Sequence, residues 1–139
     1  MLIRQIYVSR ASNRKDSDLA EILEWSHTAN AALGVTGILL FLDEVYMQYL
    51  EGEAAMVDAL FASIRLDFRH RKVTPLERRL IPKRAFPFWK MALIEWTPET
   101  KAIFRSFSPG TQLDLYEQEP ETAAPFLRAL STTPGWRFK

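Results

Sequence analysis

Two short apolar stretches joined by a polar dipeptide dominate the hydrophobic pattern of the chain. Residues 37–42 are apolar at both sets of alternating positions, which is typical of a strand whose sheet is covered on both faces. In residues 45–50, strand alternation places Gln48 on the same face as Tyr46 and Leu50. The pattern therefore predicts a hairpin within a two-sided core, with Gln48 buried among large apolar side chains.

A strand and a helix are predicted before this hairpin. Residues 2–9 alternate and end at a polar run, which indicates a strand. Asp18 with Glu21 three residues later resembles a capping box, and Gly34 is suited to follow the end of the helix. The apolar stripe of this helix also contains Asn30. The sequence thus predicts a second buried amide.

A second helix and two further strands are predicted after the hairpin. Apolar residues recur at helical spacing in residues 57–64, and residues 73–81 and 88–96 have strand character. Two helices can cover one face of the resulting βαββαββ sheet, which leaves the face that carries Met47 and Tyr49 bare. Short helical patterns in residues 98–139 predict that this tail covers it. We therefore divide the chain into residues 1–97 and a helical extension, residues 98–139.

Composition excludes several classes of protein. The chain has 139 residues, 47% hydrophobic and 25% charged, as expected for one globular domain. It has no cysteine and only two histidines, His27 and His70, so we expect no metal site. No leader or membrane-spanning pattern is seen, and a cytoplasmic protein is expected. Residues 65–84 are basic, but nucleic-acid binding is not expected because no interleaved aromatic pattern or known motif accompanies them.

No catalytic motif stands out. The five glycines, at positions 34, 37, 52, 110 and 135, form neither of the common phosphate-binding loops. No nucleophile and base are marked by their spacing, so we predict that the protein is not an enzyme. The notable chemistry is the pair Asn30 and Gln48, because an unpaired buried amide costs about 1–3 kcal/mol and each needs a polar partner. Tyr7, Trp89 and Met91 can be read either as core residues or as functional ones.

Five segments together resemble one family. They are YVSRA at 7–11, NAALGVTGILL at 30–40, QYLEGE at 48–53, IRLDFRHR at 64–71 and FPFWKM at 86–91. In order and in spacing they resemble the BLUF blue-light photoreceptor domain over roughly the first two-thirds of the chain. The resemblance implies a ferredoxin-like α+β fold that holds an oxidised flavin noncovalently between its two helices. The tail would then be the variable C-terminal helical cap.

The resemblance also implies a binding site for the flavin. Asn30 and Arg69 would contact the edge of the ring at which two carbonyl groups flank an N–H group, and Asp67 and His70 would line the site. The residue before Asn30 is often polar in the family but is Ala29 here, so one contact would be missing. The resemblance implies FAD, with FMN or riboflavin as the other possible flavins.

Photochemical roles follow from the same resemblance. Tyr7 would give an electron and then a proton to the excited flavin, and Gln48 would reorganise its hydrogen bonds by rotation or tautomerisation. Trp89 and Met91, which share strand alternation, would pass the change to the surface. Output would act through protein contacts, with a homo-oligomer and an unidentified protein as partners.

Two alternatives remain open at the level of sequence. A light-insensitive module that binds a ligand or a protein could use the same scaffold, because a fold does not dictate a function. A small hydrolase of acylphosphatase type is disfavoured, because the anion-binding loop of that family is not recognisable here.

Overall fold

The computed structural model describes residues 1–11, 16–67, 69–108 and 113–137, with only the backbone of residues 16–18. The described part forms one mixed sheet and four α-helices, with a 3₁₀ turn at Leu115–Glu117. The elements are β1 Leu2–Ala11, α1 Asp16–Leu33, β2 Thr36–Leu42, β3 Val45–Glu53, α2 Ala54–Leu66, β4 His70–Leu80, β5 Ala92–Ile94, α3 Pro98–Phe107, α4 Pro120–Ser131 and β6 Trp136–Arg137.

The sheet has the strand order β4-β1-β3-β2-β5-β6. β1 lies between β3 and β4 and is antiparallel to both, and its register places Tyr7 opposite Gln48. β2 is antiparallel to β3 and parallel to β5. This arrangement confirms the ferredoxin-like βαββαββ fold, and it sets the two polar residues of interest side by side on adjacent central strands.

The two faces of the sheet carry separate cores. On the helix face, which α1 and α2 cover, Tyr46 and Leu50 pack with apolar side chains of both helices. On the cap face, Met47 and Tyr49 pack beneath α3 and α4. Each fully buried large apolar side chain stabilises the fold by about 1.5–3 kcal/mol relative to exposure, so neither face could be left bare. The predicted helical cap on this face of the sheet is therefore confirmed for α3 and α4, and the division of the chain at residue 97 stays a prediction.

Backbone geometry explains two features of the hairpin. Asp43 and Glu44 form its turn with φ values of 50° and 68°, the left-handed pair of angles that matches the twist of the flanking strands. At Gly37 an added Cβ would lie 1.8 Å from the carbonyl oxygen of Tyr49. Only glycine therefore allows β2 to approach β3 this closely.

The structure corrects two predicted boundaries and adds one strand. α1 begins at Asp16, so Asp18 does not cap it, and the Asp18 side chain lies outside the described residues. The strand predicted over residues 88–96 is limited to Ala92–Ile94, because residues 87–91 turn instead of extending. The tail adds a short strand, β6, which the sequence did not predict and which forms only by pairing with β5. No helix within the described ranges is long and apolar enough to cross a membrane.

Candidate functional site

A buried chain of hydrogen bonds joins three elements of the helix face. The Tyr7 hydroxyl on β1 donates to Gln48 Oε1 on β3, and Gln48 Nε2 donates to Met91 Sδ at 3.2 Å. Tyr7 and Met91 are fully buried and Gln48 is 3% exposed. A thioether is a weak acceptor, so the amide of Gln48 is held firmly by Tyr7 and only loosely by Met91.

The segment that carries Met91 is fixed from α1. Asn30 Nδ2 donates to the Lys90 carbonyl at 2.7 Å, and His27 Nε2 lies 3.1 Å from the Met91 carbonyl oxygen. The two side chains lie three residues apart, so they share a face of α1. Asn30 is buried, and its Oδ1 has no hydrogen-bond partner among the described residues. Because an unpaired buried acceptor costs about 1–3 kcal/mol, this atom marks a place for an external N–H donor.

A charged pair lies at the end of α2. The Asp67 carboxylate accepts from the backbone N–H of Arg69 and, in a two-pronged contact, from its guanidinium at 2.7–3.1 Å. Burial opposes ionisation of Asp67, but the hydrogen bonds from Arg69 outweigh it and lower the pKa of this carboxyl below its usual value. The pair is therefore ionised at neutral pH and presents a guanidinium of fixed orientation.

His70 forms a wall beside Tyr7. Its Nδ1 lies 2.7 Å from Ser9 Oγ, and its ring meets the Tyr7 ring edge-on at a centroid distance of 6.1 Å. Burial lowers the pKa of His70 to about 4, with the charge of Asp67 opposing the shift and that of Arg69 adding to it. His70 is therefore neutral at physiological pH, and the wall adds no positive charge.

The phenol of Tyr7 is kept protonated. Burial raises its pKa far above the ordinary value, and the negative charge of Asp67 adds to the effect. Its ring also packs against Phe61 at 5.3 Å. Tyr7 therefore stays a neutral hydrogen-bond donor over the whole range of pH in which the protein is expected to be folded.

Comparison with known proteins identifies the family. The profile of the BLUF family, described as sensors of blue light using FAD, matches residues 2–92. The chain belongs to the BLUF family. The beta subunit of a photoactivated adenylate cyclase of Euglena longa is 32% identical over 106 residues, which is 74% of this chain and 12% of that protein. The chain thus spans about a tenth of the length of the curated relatives that it matches.

Solved structures share this fold over most of the chain. The structure of BlsA in its photo-activated state aligns with a TM-score of 0.86 and 27% identity over 97% of this chain and 98% of that one. BlrB, a BLUF protein solved in the dark state, aligns with a TM-score of 0.69 and 29% identity over 94% and 91% of the two chains. Both alignments extend over nearly the full length of this chain and therefore reach into the part that contains α3 and α4.

The residues present fit the flavin that BLUF domains bind. The flavin ring carries an N–H group between two carbonyl groups, and this is the type of donor that the unpaired Asn30 Oδ1 lacks. Tyr7, Gln48 and Asn30 are brought together through Lys90 and Met91. Asp67, Arg69 and His70 lie at the end of α2 and the start of β4, on the Tyr7 side of the site.

Trp89 is not part of this group. Its ring stacks on Phe86 at 5.5 Å and contacts Trp136 at 5.3 Å, on the cap face of the sheet. Met91 belongs to the core of the helix face. The expectation that Trp89 and Met91 share one face is therefore wrong, because residues 87–91 do not form a regular strand and alternation does not apply to them.

Sequence reasoning missed three residues that position the site. Ser9 contacts His70 Nδ1 through its hydroxyl. Strand alternation could have indicated this, because it places Ser9 on the same face of β1 as Tyr7. His27 holds the Met91 carbonyl, and its spacing to Asn30 was a comparable signal. Glu51 is buried and accepts hydrogen bonds from the backbone of Ala85 and Phe86, a contact across 34 and 35 residues that no local pattern indicates.

Acidification is expected to destabilise the protein through His70. Its pKa is about 4 in the folded chain and 6.5 unfolded, so between these values only the unfolded chain takes up the proton. Stability is therefore lost as the pH falls, and the free energy of unfolding should drop by about 2 kcal/mol from pH 7 to pH 5. Urea unfolding at the two pH values measures this. His70→Gln should remove most of the drop, and an equal drop in both proteins would contradict the assignment.

Proposed function

We propose that this BLUF chain is a blue-light switch that holds FAD between α1 and α2 and signals through Tyr7 and Gln48. One observation carries the proposal. The chain Tyr7–Gln48–Met91 is buried, carries no net charge and lies beside the unpaired acceptor of Asn30. A buried polar chain with one weak bond and one open acceptor is poorly suited to stabilising a core, and it is well suited to changing its hydrogen bonds around a bound ring.

The proposed binding site uses amide and guanidinium groups. Asn30 Oδ1 would accept from the ring N–H, and Arg69, oriented by Asp67, would donate to the carbonyl edge. His70 and Asp67 would line the site. Because the pKa of His70 is lowered to about 4, His70 adds no positive charge at neutral pH. The family description names FAD, and FMN presents the same ring to these residues.

The chemistry requires a donor of both an electron and a proton. A bound flavin supplies the absorption of blue light and, when excited, accepts an electron and a proton. Tyr7 is suited to the donor role because its raised pKa keeps the phenolic proton in place until the electron leaves. A phenol that has lost an electron is a strong acid and readily loses its proton. The hydrogen bond from Tyr7 to Gln48 Oε1 would provide the acceptor for that proton. Ser9 and His70 would keep the wall beside Tyr7 in place.

Gln48 is proposed to store the light signal. Rotation of its amide would place Nε2 toward Tyr7 and Oε1 toward Met91, and a tautomeric change would alter the same two contacts. On the Met91 side only a weak N–H···S contact of 3.2 Å is given up. On the Tyr7 side, donation from the phenol to Oε1 would be exchanged for donation from Nε2 to the phenol oxygen, so each arrangement would keep one hydrogen bond to Tyr7. A small energy difference is what a switch requires, because 1.4 kcal/mol already changes a population ratio about tenfold.

Output is proposed to act through the cap and not through catalysis by this chain. Met91 lies on the helix face, and two residues earlier Trp89 contacts Trp136 of β6 on the cap face. A shift at Met91 can therefore reach residues 98–137. It would change the self-association of the chain or its binding to a protein partner. We retain residues 1–97 as the flavin-binding part and residues 98–139 as the output extension. A cytoplasmic location stays a prediction from the sequence.

Absorption spectroscopy tests the proposal against a light-insensitive module. The purified chain is expected to be yellow, with bound oxidised flavin, and blue light should shift its visible band slightly to longer wavelength until the shift decays in darkness. Release of the flavin followed by chromatography identifies FAD or FMN. A preparation that takes up flavin but shows no shift would favour the light-insensitive alternative. A preparation that takes up neither flavin would exclude the proposed site.

Asn30→Leu is expected to weaken flavin binding about tenfold, because it removes the acceptor for the ring N–H while keeping a similar volume. Equilibrium titration with FAD, followed by flavin fluorescence, measures the dissociation constant. Thr28→Ala is the matched control, since Thr28 lies on the exposed side of α1 and its hydroxyl donates to the Glu24 carbonyl of the same helix. Equal affinity for Asn30→Leu and the parent chain would remove Asn30 from the binding site.

A further inference from the structure

A cavity between the cap and the sheet is lined by an unusual number of cations. It has a volume of about 280 Å³ and lies on the cap face, away from the Tyr7–Gln48 site. Its walls come from β1, β3, the connection between β4 and β5, and α4. Four of its lining residues are basic, and they are Arg4, Lys83, Arg84 and Arg128. In a chain of net charge +1, such a concentration of one sign of charge in one cavity requires an explanation.

Three of these cations have no carboxylate partner within the described ranges. Arg4 is paired with Glu77. Arg84 donates to the carbonyl groups of Gly34 and Glu51 and to the hydroxyl of Thr36, and these contacts orient its guanidinium. Lys83 and Arg128 are exposed at the rim. Arg128 lies in the last turn of α4, where a cation also stabilises the helix. That stabilisation does not explain the positive charges of Lys83 and Arg84 on the connection between β4 and β5.

The remaining lining favours a small anion over an apolar ligand. Tyr49 closes one wall with its phenol, whose hydroxyl donates to Glu51, and burial raises the pKa of Tyr49 so that it stays neutral. A fixed guanidinium and an ammonium group on the connection, together with a second guanidinium on α4, form the donor set that phosphate oxygens prefer. The volume admits a phosphoryl group with a small organic remainder, and it is too small for a long peptide or a lipid chain.

We propose that this cavity binds a small phosphorylated metabolite, whose phosphoryl group is held by Lys83, Arg84 and Arg128. The bound anion would bridge α4 to the connection formed by residues 81–85. That connection continues to Trp89 and Met91, so occupancy would hold the cap against the segment next to the light-sensitive site. The site itself does not depend on the proposed photochemistry.

Calorimetric titration of the flavin-loaded full chain with inorganic phosphate tests the proposal. Saturable binding in the millimolar range or tighter is expected, measured against sodium chloride at equal ionic strength because general screening acts on all charges. Lys83→Gln and Arg128→Gln should each weaken binding about tenfold, since each removes a charge-assisted contact. Lys83→Arg should retain binding. Arg105→Gln, which removes an exposed cation of α3 that does not line the cavity, is the matched control and should change the affinity less than about twofold.

A second readout separates a true site from a diffuse charge effect. Phosphate should slow amide hydrogen exchange in α4 and in residues 81–85, and it should do so in the parent chain but not in Arg128→Gln. Absence of saturable binding, or equal weakening by Lys83→Gln and Arg105→Gln, would overturn the proposal. Binding of phosphate without any protection of α4 would also overturn it, because the anion would then not bridge the cap and the sheet.

Discussion

Replacing Tyr7 by phenylalanine is expected to leave the protein yellow and folded while abolishing the light-induced red shift. The variant keeps the ring that packs against Phe61 but loses the only proton of Tyr7 that can be passed to Gln48. The phenylalanine ring is also much harder to oxidise than a phenol, so the electron is withheld as well. Transient absorption spectroscopy after a blue flash measures the amplitude of the red-shifted state.

The fold should survive this substitution. Gln48 Oε1 loses its donor, which costs about 1–3 kcal/mol, against a total stability of about 5–15 kcal/mol for a domain of this kind. Tyr49→Phe is the matched control, because Tyr49 neighbours Gln48 on β3 but points its phenol to Glu51 on the cap face. The control should form the red-shifted state with the amplitude of the parent chain. A normal photocycle in Tyr7→Phe would remove Tyr7 from the mechanism.

Strand alternation was sufficient to predict the two faces of the sheet and the burial of Gln48, and helical periodicity predicted the burial of Asn30. Gln48 and Asn30 are 3% and 1% exposed, as their positions on an apolar strand and an apolar helical stripe indicate. The prediction succeeds because β3 is regular and covered on both sides, so side-chain direction depends on local geometry alone. Local patterns could not identify the hydrogen-bond partners of the two amides, because Met91 lies 43 residues from Gln48 and Lys90 lies 60 residues from Asn30 in sequence.

Alternation failed where the backbone is irregular. Residues 88–96 contain the aromatic and apolar residues typical of a strand, but Pro87 removes a hydrogen-bond donor and Trp89 N–H turns back to the Phe86 carbonyl. Phe88 is consequently 88% exposed, and Trp89 and Met91 diverge to opposite faces. β6 was beyond prediction for a related reason. β6 has two residues, which are too few to show strand alternation, and it forms through its pairing with β5.

The irregular segment is held in place by Glu51. This residue is fully buried, and its carboxylate accepts from the backbone N–H groups of Ala85 and Phe86 through different oxygens. Hydroxyl groups of Thr36 and Tyr49 complete its contacts at 3.2 Å each. Four donors therefore converge on one carboxylate. Glu51 thus attaches the connection that leads to Trp89 and Met91 to β3, three residues after Gln48.

Glu51→Gln is expected to lower the free energy of unfolding by about 2 kcal/mol. The substitution keeps size and shape but replaces one acceptor oxygen by an N–H₂ group, so one backbone N–H of the connection faces a donor and is left unpaired. It also removes the charge that strengthens all four contacts. Urea unfolding followed by circular dichroism measures the loss. Glu53→Gln is the matched control on the same strand, because the Glu53 side chain is exposed and its carboxylate contacts the N-terminal ammonium group; it should cost less than about 1 kcal/mol.

Glu51→Gln should also alter the light-induced change at Gln48. A residue that only stabilises the fold, far from Met91, would not have this effect. With one anchor of residues 85–86 lost, Met91 is less firmly placed opposite Gln48 Nε2, and the two arrangements of the amide become closer in energy. The dark recovery of the red-shifted state in Glu51→Gln is therefore expected to change at least about threefold, whereas Glu53→Gln should recover at the parent rate. If both variants lose the same stability, Glu51 does not hold the connection. If Glu51→Gln is destabilised but recovers at the parent rate, the connection is held by Glu51 without transmitting anything to Gln48.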